Sequence, residues 1–509
     1  MDKLESNDLQ SLANARFGEL WEAELRLLQA ATKAETARCG PSPHIGDPGN
    51  DPSKAELWGD ERTIRADLII WLCLDLEASK KIDPAGIQVL GAKIVGRVTL
   101  FFADIRFPLL FQCCYFANDI DLKFASVPAL NLAGTWIHLL IADGLHVRGD
   151  VSLDGLVSIG EVRLLDAQIG ASLTCLQATF QASGNSVALA LDRAEIKSSI
   201  LLSGARSAHG ETRLASVKVG QQIICDSGEF RNLNLQGAKA ESFIWRNVRN
   251  AAQSRLDLIN ASVDVVLDDQ ASWPEGGNLF LDGFTYNRFL SCATDAKHRM
   301  EWLNRQGDFK PQPYLQLSKV LRDIGDERGA RLVVVEMENR SRAINDRKWF
   351  QRLASQILKV TIGYGQFSSR ALKWMALLTL IGAVFFGCGY LGGALAPTEE
   401  KAYEVFAQRG YPPDYYSQFN PLVYSIEHSF PLVNLGVKDH WAPNHAVQSD
   451  RLLFHWRIFR WLHGATIWNI HIFRWNATAL LRLWLWFEVP LGWLLATLFL
   501  AGFTGVVKR

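Results

Sequence analysis

The residues best suited to chemistry lie between Asn420 and Gly436. Asn420-Pro421 opens a run through Phe430 that has the length of a short pore helix and carries Glu427 and His428. Pro431 to Gly436, with Asn434 inside it, would be the descending loop. Such a loop passes ions by presenting oxygens that replace their hydration shell. Span, re-entrant helix, loop, span is the plan of a two-span channel. The plain alternative is a folded extracytoplasmic loop that leaves Glu427 and His428 in water.

Three other chemistries are weaker. Thr361-Ile362-Gly363-Tyr364-Gly365 has the spelling of a carbonyl-lined potassium filter. A filter needs a span before its pore helix, and the preceding Arg347 to Val360 is charged. A short loop into the first span is therefore expected. Asp121, Asp154, Asp166, Asp192 and Asp226 lie near repeat positions, and parallel β-helices can host carbohydrate enzymes with clustered carboxylates. Turn and outward positions account for them equally well. No glycine-rich dinucleotide fingerprint, no P-loop and no Cys or His set with metal-ligand spacing occurs, so no catalytic residue, cofactor or metal is assigned. The eight cysteines form no CxxC pair, which fits a reduced compartment.

The elements that would carry these residues follow from composition and period. The 509 residues suffice for two or three domains, and 53 basic side chains balance 53 acidic ones. There is no basic field to attract nucleic acid. The 17 Trp gather late in the chain, a pattern typical of a bilayer interface. MDKLESNDLQ at the N-terminus has no apolar signal-peptide core, so the repeat region is expected not to be secreted.

From Val98 to Leu281 an apolar triplet returns about every eleven residues: Leu109-Leu110-Phe111, Ile120-Asp121-Leu122, Leu130-Asn131-Leu132, Val151-Ser152-Leu153, Leu173-Thr174-Cys175, Ile200-Leu201-Leu202 and others. Positions one and three share one face of a strand. Each triplet is too short to stand alone, but stacked copies bury a continuous column. Two eleven-residue units would make one coil of a β-solenoid, with Gly134, Gly144, Gly155 and others at its corners. An amphipathic helix has a compatible period, but the β-branched residues and glycines oppose it. Leu256-Asp257-Leu258 and Leu279-Phe280-Leu281 look like a frayed end.

The architecture expected is a β-solenoid (a right-handed β-helix, pentapeptide-repeat-like) with helical caps and a C-terminal α-helical transmembrane region. Residues 1–85 form a helical N-terminal cap, with one helix over 4–38, and 86–290 the solenoid. Residues 291–345 form a helical hairpin that caps or adapts, with helices after Pro311 and after Gly325. Residues 346–373 form a basic helix at the headgroup level, anchored by Arg347, Lys348, Trp349, Arg352 and Lys359. Residues 374–509 hold two spans, about 374–394 and 487–507. Glu488 would sit awkwardly inside the second span if that span began earlier. Basic residues before the first span and after the second put both termini on the cytoplasmic side. Arginines at 451, 457, 460, 474 and 482 among aromatics leave open whether 451–483 crosses or lies in the plane.

The chain resembles a family of bacterial membrane proteins with a pentapeptide-repeat-like β-solenoid, some of which are labelled "membrane-associated oxidoreductase". The similar stretches are Glu61-Arg62-Thr63-Ile64-Arg65-Ala66, Gly91-Ala92 with Gly86 and Gly96, and Pro311-Gln312-Pro313-Tyr314 with Leu317 and Val320-Leu321-Arg322. Thr361 to Gly365 and Phe419-Asn420-Pro421-Leu422-Val423-Tyr424-Ser425 complete the set. The resemblance implies architecture and a bacterial inner membrane, and carries no catalytic residues over.

The functional expectation is a non-enzymatic, membrane-anchored binding or scaffold protein with its solenoid in the cytoplasm. Its partners would be the lipid bilayer, a protein on the solenoid surface and further copies of itself. The alternative is an oligomeric ion channel with a re-entrant helix at about 419–436, gated by the solenoid. A membrane-associated oxidoreductase comes third.

Overall fold

The computed structural model describes residues 2–44, 46–182, 186–291, 293–344, 349–444, 466–467, 470–471 and 477–504. Short parallel strands wind through the first part of the chain as a β-solenoid of about nine turns. The chain divides into two units, Met1–Val333 and Val334–Arg509.

Leu109, Leu130, Val151, Leu173, Ile200 and Ile223 stack in register down one face of the solenoid, about 22 residues apart. Ile120, Leu140, Val162 and Leu189 stack down another. These are the triplets of the sequence, and their third residues, such as Leu132, Leu153, Leu164, Cys175 and Leu202, are also buried. Period-two burial thus fills the interior from both sides. The step from Leu173 to Ile200 is longer than the others, and the register shifts locally between Val187 and Leu189.

Each eleven-residue unit makes two short strands, where one had been expected. Tyr115–Phe116, Trp136–Ile137, Val157–Ser158 and Thr179–Phe180 form a third face. Ser126–Val127, His146–Val147, Gln168–Ile169 and Glu195–Ile196 form a fourth. Each of these pairs buries one side chain, which is too little periodicity to stand out in a sequence. The supposed frayed end is regular: Leu256 pairs with Leu233 and Leu279 with Leu256. Val266 and Phe289 continue the first face.

Corners need a left-handed residue, and glycine fills only some of them. Phe124 (φ 54°), Gly144 (φ 64°), Asp166 (φ 55°) and Arg193 (φ 58°) follow one another down one edge. Neighbours there offset the strain. Phe102 stacks on Phe124 with ring centroids 4.9 Å apart, and Arg193 clasps Asp166 at 2.6 and 2.7 Å. Gly144 is needed because a Cβ there would lie 2.4 Å from the Phe124 ring.

The N-terminal segment is two helices, α1 (Asp2–Phe17) and α2 (Glu22–Ala31), broken at Gly18 (φ 72°). A single helix reaching residue 38 is therefore corrected. Ala37–Arg38 is instead a strand that pairs with Ile87–Leu90. Thr63–Arg65 pairs with Lys93–Val95, so this segment begins the sheets as well as covering them. Helices α3 (Ala66–Leu74) and α4 (Leu76–Lys80) follow. Arg65 binds the fully buried Glu24 of α2 at 2.6 and 2.7 Å.

At the far end come α5 (Ala296–Leu303), α6 (Pro311–Asp323) and α7 (Glu327–Ile344). Helix α5 precedes the expected hairpin. Its Trp302 packs edge-on against Tyr286 and Phe289 of the last coil. Gln312 and Gln316 of α6 bind the Phe284 and Tyr286 carbonyls, so otherwise unpaired backbone groups of the last coil are capped.

In the second unit α8 (Trp349–Ile362) leads into α9 (Ser369–Leu391). Then come α10 (Glu400–Arg409), α11 (Pro421–Ser429) and α12 (Ala477–Phe503). Leu395–Pro397 and Trp441–Pro443 pair antiparallel. Helix α12 starts ten residues before the expected span and contains Pro490 in its interior. Proline at a helix start is the commoner signal; packing against neighbouring helices lets this one continue.

Candidate functional site

Helices α9 and α12 are long and apolar enough to cross a membrane, over Ser369–Leu391 and Thr478–Phe503. Their apolar residues are not hidden as in a soluble core. Leu380 (58%), Val384 (62%), Trp486 (73%) and Phe503 (75%) are exposed. Large apolar surface left uncovered in this way calls for lipid or a partner.

Between them lies α11. The Asn420 side chain caps it by accepting from the Leu422 and Val423 N–H groups at 3.0 and 3.2 Å, with Pro421 in the first turn. Three glycines permit close approach. A Cβ on Gly382 of α9 would meet Ser425 Oγ at 2.4 Å, and one on Gly492 of α12 would meet the Ser429 carbonyl oxygen at 2.2 Å. A Cβ on Gly389 would strike Leu481 at 2.6 Å.

Glu427 does not face water. It is 4% exposed, and its carboxylate accepts from the backbone N–H groups of Leu435, Val437 and Lys438, the last at 2.6 Å. It shapes the loop after α11. The His428 ring nitrogen Nδ1 lies 2.7 Å from the Tyr424 carbonyl oxygen, and the His428 and Tyr424 rings are 4.4 Å apart. Asn434 is exposed, and its side chain accepts from the Gly436 N–H at 3.0 Å, with Gly436 at φ 84°. Of the proposed pore residues, the structure brings Glu427 to the loop that holds Asn434 and Gly436. Asn420 stays at the other end of α11.

Glu488, flagged by the sequence only as awkward, is the buried centre of this unit. It is fully buried in α12, and its Oε1 lies 2.5 Å from Ser425 Oγ and 2.6 Å from Ser429 Oγ, both on α11. Ser425 Oγ is also 2.9 Å from the Thr379 carbonyl oxygen of α9. Oε2 is buried and has no hydrogen-bond partner. One carboxyl thus joins all three helices. The signal for it was present as Ser425 and Ser429, one helical turn apart.

No protein-family model, characterised protein or solved structure matches this chain.

Thr361 and Ile362 end α8, and Gly363, Tyr364 and Gly365, all at positive φ, begin the turn into α9. Tyr364 Oη donates to Asn339 at 3.2 Å, and Arg342 sits over its ring. Of the interfacial anchors, Trp349 (77%) and Arg352 are exposed and Lys359 is half-buried. Arg347 and Lys348 lie outside the described residues, as do nearly all of 451–476 and Lys508-Arg509.

Among the described residues no group of His, Cys, Asp and Glu is placed to hold a metal. The Asp side chains of the repeat are taken up in ladders between coils: Asp143 with Arg163, Asp192 with Arg213, Asp166 with Arg193 and Asp226 with Arg246. Burial pushes the Cys39 thiol up to about 11 and that of Cys73 to about 12, and raises Cys114, Cys175 and Cys225 as well. These thiols fill space in the core.

Proposed function

We propose that this protein is a membrane-anchored β-solenoid that binds a protein partner on its coil surface. The carrying observation is a solenoid with an ordered polar exterior, continuous in chain with two apolar helices whose outer faces are uncovered. His146, Gln168, Glu195, Lys218, Lys239 and Ser262 form one exposed row in register, one residue per coil. Their spacing is the strand separation of about 4.8 Å, which matches an extended chain or a second sheet. A surface fixed this firmly loses little ordering entropy on association. In this reading α9 and α12 span a bacterial inner membrane, and the solenoid and both chain ends lie in the cytoplasm. Arg370 and Lys373 at the start of α9 support that orientation. Membership of the pentapeptide-repeat-like membrane family belongs to the same proposal.

Photocrosslinking in intact cells tests it. A crosslinker at Gln168 or Lys218 should give one defined protein adduct, lost on charge reversal at Glu195 and Lys239. Absence of an adduct from every position of the row would reject the reading.

One observation favours a second reading, an oligomeric pore. Helix α11 packs against both apolar helices, and Glu427 pins the loop after it, the arrangement of a re-entrant segment. Conductance across a reconstituted bilayer that Glu427→Ala alters would establish this reading in place of the first.

A further inference from the structure

Three oxygen–oxygen contacts meet at Ser425 and Glu488. Ser425 Oγ lies 2.9 Å from the Thr379 carbonyl and 2.5 Å from Glu488 Oε1, and Ser429 Oγ lies 2.6 Å from the same Oε1. Each contact needs a hydrogen between its oxygens. Each serine hydroxyl has one hydrogen, and the Thr379 carbonyl has none. An ionised Glu488 has none either, so two hydrogens would have to serve three contacts. A third hydrogen on Glu488 Oε1 completes the set. Oε1–H then donates to Ser425, Ser425 donates to Thr379, and Ser429 donates to Oε1.

The surroundings agree with this count. Glu488 is fully buried and forms no ion pair among the described residues. On α9 it lies against Gly382 and reaches Thr379 only through Ser425, and neither residue titrates. On α11 the titratable groups are Tyr424, Glu427 and His428. Tyr424 donates to the Trp441 carbonyl, Glu427 is held by backbone N–H groups, and His428 is bonded to the Tyr424 carbonyl. On α12 itself the indole N–H of Trp484, one turn away, is a neutral donor beside the carboxyl and supplies no charge. An ionised carboxylate buried at membrane depth without a counter-ion is strongly disfavoured, and an unpartnered neutral oxygen at Oε2 much less so.

We propose that Glu488 is a proton-binding site, held as a neutral carboxylic acid whose O–H joins α12 to α11 and, through Ser425, to α9. Loss of that proton removes one hydrogen bond and places an uncompensated charge where three helices meet. The contact therefore holds at low and neutral pH and weakens as the pH rises.

The test uses the full chain in lipid nanodiscs. Infrared spectra at neutral pH should show the carbonyl stretch of a protonated carboxyl that is lost in Glu488→Gln. Ser425→Ala keeps the acid but removes its acceptor, and should shift that band. Thermal unfolding of the native chain should move to lower temperature from neutral to alkaline pH. In Glu488→Gln, whose amide can donate to Ser425, it should stay level. A neutral-pH spectrum without a Glu488-dependent band overturns the proposal. So does a sodium-dependent rise in unfolding temperature that Glu488→Gln abolishes, since a metal ion would then be the neutralising cation. A band unmoved by Ser425→Ala also overturns it.

Discussion

The Arg299 guanidinium holds the Asp268 carboxylate through two parallel hydrogen bonds, Nη1 to Oδ2 at 2.8 Å and Nη2 to Oδ1 at 2.7 Å, with both side chains buried. Arg299 also lies 3.6 Å above the Phe289 ring, and its Nε donates to the Ala293 carbonyl. Trp273 Nε1 donates to Asp268 Oδ2 at 2.8 Å. The pair ties α5 to the strand Ser262–Asp268 and closes the C-terminal end of the solenoid. Solenoid ends fray unless covered, so this pair bears on the stability of the whole stack.

Arg299→Ala should destabilise the protein by about 3–5 kcal/mol, because it leaves Asp268 charged and buried without its partner. Replacing both, as Arg299→Met with Asp268→Leu, should recover most of the loss. Urea unfolding of the full chain, followed by the far-ultraviolet signal of the strands, measures both. Equal losses in the single and double variants would show that the pairing is not the cause.

Glu427→Ala removes the acceptor of three backbone N–H groups in the loop after α11. Charge-assisted bonds of this kind contribute about 1.5–3 kcal/mol each. Hydrogen exchange at the amides of Leu435, Val437 and Lys438 should quicken at least tenfold in the variant, while the solenoid amides keep their rates. Unchanged exchange at 435–438 would refute the loop-holding role.

Two glycines of α9 should answer differently to alanine. A Cβ on Gly382 would press on Ser425 and both Glu488 oxygens at 2.4–2.8 Å, whereas one on Gly387 meets Pro421 at an ordinary 3.6 Å. Gly382→Ala should lower stability by about 1–3 kcal/mol through overpacking. Gly387→Ala should be neutral or slightly stabilising through helix propensity. Thermal unfolding in detergent compares them directly.

Thiol labelling reports on the core. Cys114, Cys175 and Cys225 are buried with raised pKa, and Cys73 is pushed up to about 12, so the nucleophilic thiolate is scarce at pH 8. Mass spectrometry after alkylation of the native chain should find these four unmodified, and all four labelled in denaturant. Native labelling of Cys175 within minutes would mean that the coils open readily.

The sequence alone determined the solenoid, because its signal is local and repeated. Leu130-Asn131-Leu132 and its relatives state the same period again and again, and only stacking can bury such short strands. It also determined α9, since the uncharged run 374–394 is long enough to be legible without any partner, whereas α12 was legible only in its later part, because Arg482 and Glu488 interrupt its apolar run. The capping role of Asn420 was not legible in that way, nor was the start of α12. Pro490 signals a beginning, and only contact with α9 and α11 carries the helix through it.

Tertiary structure alone decided the roles of the acids. Glu427 and Glu488 look alike in one dimension, each a lone acid in apolar surroundings. Folding turns Glu427 towards three backbone N–H groups and Glu488 towards Ser425, Ser429 and the carbonyl-bound network of Thr379. A carboxyl group's role depends on which donors and charges surround it within a few ångströms. The neighbours of Glu427 lie 8 to 11 residues further on, in the loop after α11, and the serines around Glu488 lie 59 and 63 residues back on another helix; periodicity encodes neither set.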